Sequence, residues 1–85
     1  MVSQLYEARR EGNPPRWFVI REEHLDDRWV STCAESDHKG REWPGAFAVA
    51  PKFYGVTAEQ AHRRMVDALE RSYDEVTPVR GGAEA

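Results

Sequence analysis

The side chains that could carry chemistry are few and scattered: His24, Cys33, His38 and His62, and the carboxylates Glu22, Glu23, Asp26 and Asp27. Imidazoles and thiolates build metal sites when they recur at short spacings such as CxxC, HxxxH or HExxH, and none of those spacings occurs here. Cys33 falls inside a strand pattern, where a thiol is inert packing unless a base and solvent reach it. Paired carboxylates can split their pKa values or hold a hard cation. In this chain they sit in a polar run, 22–28, that reads as an exposed connection between strands, with no Gly-rich phosphate cradle beside it. No catalytic, metal-binding or cofactor-binding residue is assigned, and the chain reads as a protein that works by binding.

The residues that could bind a partner lie further along. The loop 35–45, ESDHKGREWPG, carries Trp43 as its one large apolar group among charges and glycines. A Trp so placed is either a partner anchor or a lid folded over the small core. Arg41 and His38 share that loop, and Phe53 and Tyr54 follow Lys52, completing the candidate partner-binding residues. Arg41 beside Trp43, Lys52 beside the two aromatics, and Arg63 with Arg64 also suit nucleic acid. The net charge of −3, from 15 acidic and 12 basic residues, provides no field that gathers phosphates, so nucleic acid ranks behind a protein partner.

Eighty-five residues leave room for one modest core and hence one domain. No apolar run approaches the roughly 20 residues that cross a bilayer, and the N-terminus lacks the apolar stretch of a secretory signal. The single Cys cannot form an internal disulfide. Together these predict a cytoplasmic protein with no membrane association.

The elements expected to position the candidate residues follow from periodicity. In the N-terminal segment, 1–15, Val2, Leu5, Tyr6 and Ala8 fit one side of a short helix, which Gly12-Asn13-Pro14-Pro15 breaks as a hinge. Aromatic and β-branched residues at 17–21 and 29–34 predict two strands, with either face of the second able to meet the core. A third strand is expected at 46–50, and Phe53 and Tyr54 could extend the sheet. Thr57 and Gln60 form a capping box that starts an amphipathic helix running to about Tyr73, with Ala61, Met65, Ala68 and Leu69 on its apolar stripe. On its solvent side, Glu59 with Arg63 and Asp67 with Arg71 have the spacing of helical ion pairs. The expected fold is α+β: a three-stranded, mainly antiparallel sheet with one long C-terminal helix on one face, spanning 16–76. Residues 77–85 read as a flexible tail.

The stretch 18–20, the acidic loop after it, Trp29-Val30-Ser31-Thr32-Cys33-Ala34-Glu35, the Pro44-Gly45 turn, and Gly55-Val56-Thr57-Ala58-Glu59-Gln60-Ala61 together resemble the HicB family of antitoxin domains, which have a partial ribonuclease H fold. The resemblance spans roughly 17–73. It departs where Ala34 stands in place of the usual Pro, in the long loop 35–43, and in the extra residues before Gly55. It implies a non-enzymatic protein-interaction module, an antitoxin-like inhibitor or regulator that masks a toxin ribonuclease and forms a homodimer. Family members that repress their own operon usually carry a DNA-binding segment after this domain; nothing after Val76 reads as one, so a stand-alone form without that segment is expected. A second resemblance, to double-stranded-RNA-binding domains, rests on the expected order helix, three strands, helix and on the break at Pro14-Pro15 before an aromatic strand. The basic helix start that grips phosphate in those domains is replaced here by Thr57-Ala58-Glu59-Gln60.

Overall fold

A computed structural model describes residues 2–42 and 51–79. Among these, five strands and one helix follow in the order β1 (Val2–Arg9), β2 (Arg16–His24), β3 (Trp29–Ser36), β4 (Lys52–Gly55), α1 (Ala58–Ser72) and β5 (Glu75–Pro78). The strands form one antiparallel sheet in the order β4-β3-β2-β1-β5. The α+β class and the helix on one face match the expectation from sequence, and the sheet has five strands where three were expected. The expected strand at 46–50 lies outside the described residues.

Two expectations are overturned. The N-terminal segment is not helical, because Val2–Arg9 forms β1 at the interior of the sheet, hydrogen-bonded to β2 on one side and β5 on the other. Its apolar spacing mimics a helix because both of its faces are buried: Leu5 points away from α1, while Tyr6 and Ala8 point towards it. The chain then turns at Arg10–Asn13, where the Asn13 amide donates to the Arg10 carbonyl at 3.0 Å and Gly12 takes φ 84°, a conformation that suits glycine. Of the tail expected at 77–85, the first residues are ordered in the sheet, and 80–85 lie outside the described residues. Thr77 and Pro78 belong to β5, which holds β1 through its backbone while most of its side chains remain exposed. Pro78 is tolerated there because an edge strand needs no donor on its outer side.

The core forms between α1 and the sheet face that carries Tyr6, Phe18, Ile20 and Cys33, against which Met65 and Leu69 are buried. The second strand of the sequence reading is thereby oriented: Cys33 and Ser31 face the helix, and Val30 is buried on the reverse. The helix starts as expected, with the Gln60 amide donating to Thr57 Oγ1 at 3.1 Å. The Gln60 side chain closes the cap by accepting from the Val56 amide at 2.8 Å, one residue earlier than in a standard capping box.

Connections dictate how the helix lies. Only Val56 and Thr57 separate β4 from α1, and only Tyr73 and Asp74 separate α1 from β5. Because β4 and β5 are opposite edges of the sheet, the helix must span all five strands. Four inter-strand gaps make roughly 19 Å, and a 15-residue helix is roughly 22 Å long. Both edge strands run antiparallel to β3 or β1, so α1 leaves from the end of β4 that pairs with Trp29 and arrives at the end of β5 that pairs with Arg9. It therefore crosses the sheet diagonally. Gly55 permits the close start, since a Cβ there would stand 2.7 Å from the Ala61 backbone nitrogen. None of the helices among the described residues is long and apolar enough to cross a membrane.

Candidate functional site

A diagonal helix leaves two corners of its sheet face uncovered, and the two are filled differently. In the corner where β2 begins and β3 ends, Arg16 Nε donates to Glu35 Oε2 at 2.7 Å and its Nη2 reaches Glu35 Oε1, a two-pronged ion pair. Arg16 also donates to the Tyr73 hydroxyl at 3.3 Å and lies 5.8 Å from the centre of the Phe18 ring. The hydrogen bond to Glu35 is the main reason the guanidinium pKa is raised further. This corner is closed.

The opposite corner is an open cleft of about 610 Å³ between α1, from Ala58 to Glu70, and the ends of β1, β2 and β3 near Gln4, Glu22 and Trp29. At its base the Tyr6 hydroxyl lies 2.6 Å from His62 Nε2, and His62 Nδ1 lies 2.7 Å from Glu22 Oε2. Ser31 Oγ donates to the same carboxylate oxygen at 3.3 Å. One proton placement satisfies the row with a neutral ring: His62 carries its proton on Nδ1 and donates it to Glu22, and Nε2 accepts from Tyr6. Each group comes from a different element, with Tyr6 on β1, Glu22 on β2, Ser31 on β3 and His62 on α1. The cleft wall is completed by Trp29, whose ring stacks on His24 at 4.7 Å, and by Val66.

The order carboxylate, imidazole, hydroxyl resembles a relay that activates a nucleophile. The electrostatics oppose that use for Tyr6. Burial, and after it the charge of Glu22, raise the phenol pKa above its ordinary 10.0, so the hydroxyl keeps its proton. Cys33, the other nucleophile considered, is buried beneath the helix with its thiol pushed up to about 12, chiefly by desolvation. What this corner can do is hold hydrogen-bonding groups in fixed positions at the floor of an accessible cleft.

The structure does not bring the sequence-predicted partner residues together. Trp43 lies outside the described residues. His38 and Arg41 belong to an exposed turn built on Asp37, whose Oδ1 accepts from the Lys39 and Arg41 amides, both at 2.9 Å; the Arg41 side chain pairs with Asp37 at 3.3 Å. The His38 ring meets Trp17 edge-on at 6.0 Å. Phe53 packs against the core on the helix side, whereas Tyr54 is exposed on the reverse with the Arg28 guanidinium 5.5 Å from its ring centre.

Glu22 corrects the reading of 22–28 as an exposed connection: it is 4% exposed and sits within β2. Its signal was present in the sequence, since Phe18, Ile20 and Glu22 recur at the strand period and so share the core face. His62 likewise flanks the apolar stripe, one residue after Ala61. The expected helical pairs Glu59–Arg63 and Asp67–Arg71 are not among the ion pairs that the described residues form. Comparison with protein-family models, with characterised proteins and with solved structures finds no match to this chain.

Proposed function

We propose that the domain is a non-enzymatic protein-interaction module, an antitoxin-like inhibitor or regulator, and that it presents its open corner to the protein whose surface it masks. One observation carries this reading. Among the described residues the large hydrophobics left exposed are Leu25, Tyr54 and Val56, at 39%, 42% and 75%. All three belong to the same end of the sheet. Leu25 follows His24, which stacks on the cleft residue Trp29, and Tyr54 and Val56 flank Gly55, the residue paired with Trp29. Exposed apolar side chains at the cleft end of the sheet, Leu25 and Val56 with Tyr54 on its reverse face, beside a four-residue strand that is an edge among the described residues, suit a protein partner. The raised Tyr6 pKa weighs against a phenolate nucleophile, and the acidic groups around the cleft disfavour phosphate. The HicB-like resemblance supplies a partner class, a small toxin ribonuclease, and adds a second copy of the chain as a further partner.

The test is site-specific photo-cross-linking in the native host, with a benzophenone amino acid at Leu25 or Val56 and a control at Glu75, at the far end of the sheet. A single discrete protein adduct from the first two positions and none from Glu75 is expected. Equal yield from Glu75, or adducts to nucleic acid alone, would overturn the reading.

A further inference from the structure

We propose that the open cleft is a socket for a basic side chain of the partner, a Lys or Arg whose cationic end reaches Glu22 and whose aliphatic stem lies between Tyr6 and Trp29; this rests on the protein-interaction reading above. The first support is the charge of the lining. Glu22, Glu59 and Glu70 are set against Arg63 alone, and among the described residues neither Glu59, Glu70 nor Arg63 is engaged in an ion pair.

Unused acceptors give the second support. Both hydrogen bonds that Glu22 receives fall on Oε2, from His62 and Ser31, leaving Oε1 without one. No fully buried side-chain nitrogen or oxygen among the described residues is unpaired, so Oε1 retains access to solvent although Glu22 is 4% exposed. Gln4 is similarly committed: its amide nitrogen donates to the Leu5 and Val79 carbonyls at 3.0 and 3.1 Å, so its side-chain oxygen remains as an acceptor. At the floor of the cleft, where Glu22 and Gln4 lie, the free polar atoms are acceptors and recognise a donor, while Arg63 belongs to the helix wall. Ammonium and guanidinium groups bring three and five N–H donors respectively, with the positive charge that carboxylates and aromatic faces favour.

The rival ligand is an anion held by Arg63 and the start of α1. That helix end is partly occupied and carries a negative charge: the Gln60 amide is taken by Thr57 Oγ1, and the Glu59 carboxylate in the first turn repels an anion. The walls then choose among cations. Tyr6, Trp29, Val66 and Ala58 offer apolar surface that a hydrated metal ion leaves unused and an alkyl stem covers.

The experiment titrates the full chain at low salt with N-acetyl methylamides of Lys, Arg, norleucine and Glu, following the His62 ring signals by NMR. The Lys and Arg amides should give saturable shifts with Kd on the order of 1 mM, the range of single-residue ligands, and norleucine should bind about tenfold more weakly. The double variant Glu59→Gln/Glu70→Gln, altered only at exposed positions, should weaken the Arg amide by roughly three- to tenfold, with melting lowered only slightly by the loss of the first-turn charge. Norleucine binding as well as Lys, tighter binding of the Glu amide, or no loss in the double variant would each overturn the socket. Cross-linked adducts from Leu25 and Val56 without amide binding would remove the socket and leave the module. Amide binding without any adduct would overturn a partner side chain as the source of the cation.

Discussion

The two corners beside α1 hold acidic groups of similar burial, and they differ in what neutralises them. Glu35 meets a guanidinium that satisfies both of its oxygens, and Tyr73 and Phe18 pack around the pair. Glu22 meets an imidazole and a serine hydroxyl on a single oxygen and keeps the other free beneath an open cleft. A fork-shaped cation completes a carboxylate, whereas a single ring nitrogen leaves valence for another donor. The first corner therefore fastens the helix to the sheet, and the second retains capacity to bind.

The strongest way to break the contrast is to collapse the closed corner. Phe18→Ala removes a fully buried ring that packs 5.7 Å from Tyr73, and should cost about 3–5 kcal/mol in chemical denaturation. Next, Gly55→Val drives a side chain into the backbone at Ala61 and lifts the start of the helix, which opens both corners at once. A loss of roughly 1–3 kcal/mol, with weakened binding in the cleft, is expected from thermal melts and NMR titration. An unchanged melting temperature would show that the helix start has room to move. Arg16→Ala leaves Glu35 largely buried without its partner. Because half of the Arg16 side chain is exposed, solvent screening reduces the penalty to about 1–2 kcal/mol. His62→Ala should cost less, roughly 1 kcal/mol or below, because the open cleft lets water replace the ring at Glu22. If His62→Ala proves more destabilising than Arg16→Ala, the division between fastening and binding corners fails.

How much of this was legible in the sequence depended on the range of each interaction. The start of α1 was readable because Thr57 and Gln60 are three residues apart and act on local backbone. The closed and open corners were not, since Tyr6, Glu22 and His62 meet only after three separate elements are brought into register. The strand β1 was misread for a related reason. Its flanking strands and buried faces come from the rest of the fold, and burial on both sides erased the alternation that marks a half-exposed strand. β5 carried almost no side-chain signal because its pairing is made by backbone. Glu22 was the missed opportunity, as a carboxylate in step with Phe18 and Ile20.

The smallest expected effect concerns the turn after β3. Hydrogen bonds from the Arg41 amide first, and then the Lys39 amide, hold the Asp37 carboxyl below its ordinary 3.8. A depressed carboxylate stabilises the fold above its unfolded pKa, and that contribution disappears as the pH falls through the folded value. Stability curves of the parent and Asp37→Asn should therefore separate above about pH 4 and converge on acidification. Separation that persists at the acid end would mean that Asn disturbs the turn by some route other than charge.

The short connections at both ends of α1 carry a consequence for how such a domain can vary. Sheet width and helix length are coupled, so a strand cannot be added between β4 and β5 without a longer helix to bridge it. A single inserted residue within α1 would turn everything after it by about 100°. Placed before His62, it would part the imidazole from Glu22 while leaving composition and hydropathy almost unaltered. Homologues should accordingly tolerate insertions at the strand turns and keep the spacing from Gly55 to Tyr73 fixed, which makes that interval a ruler for recognising distant relatives.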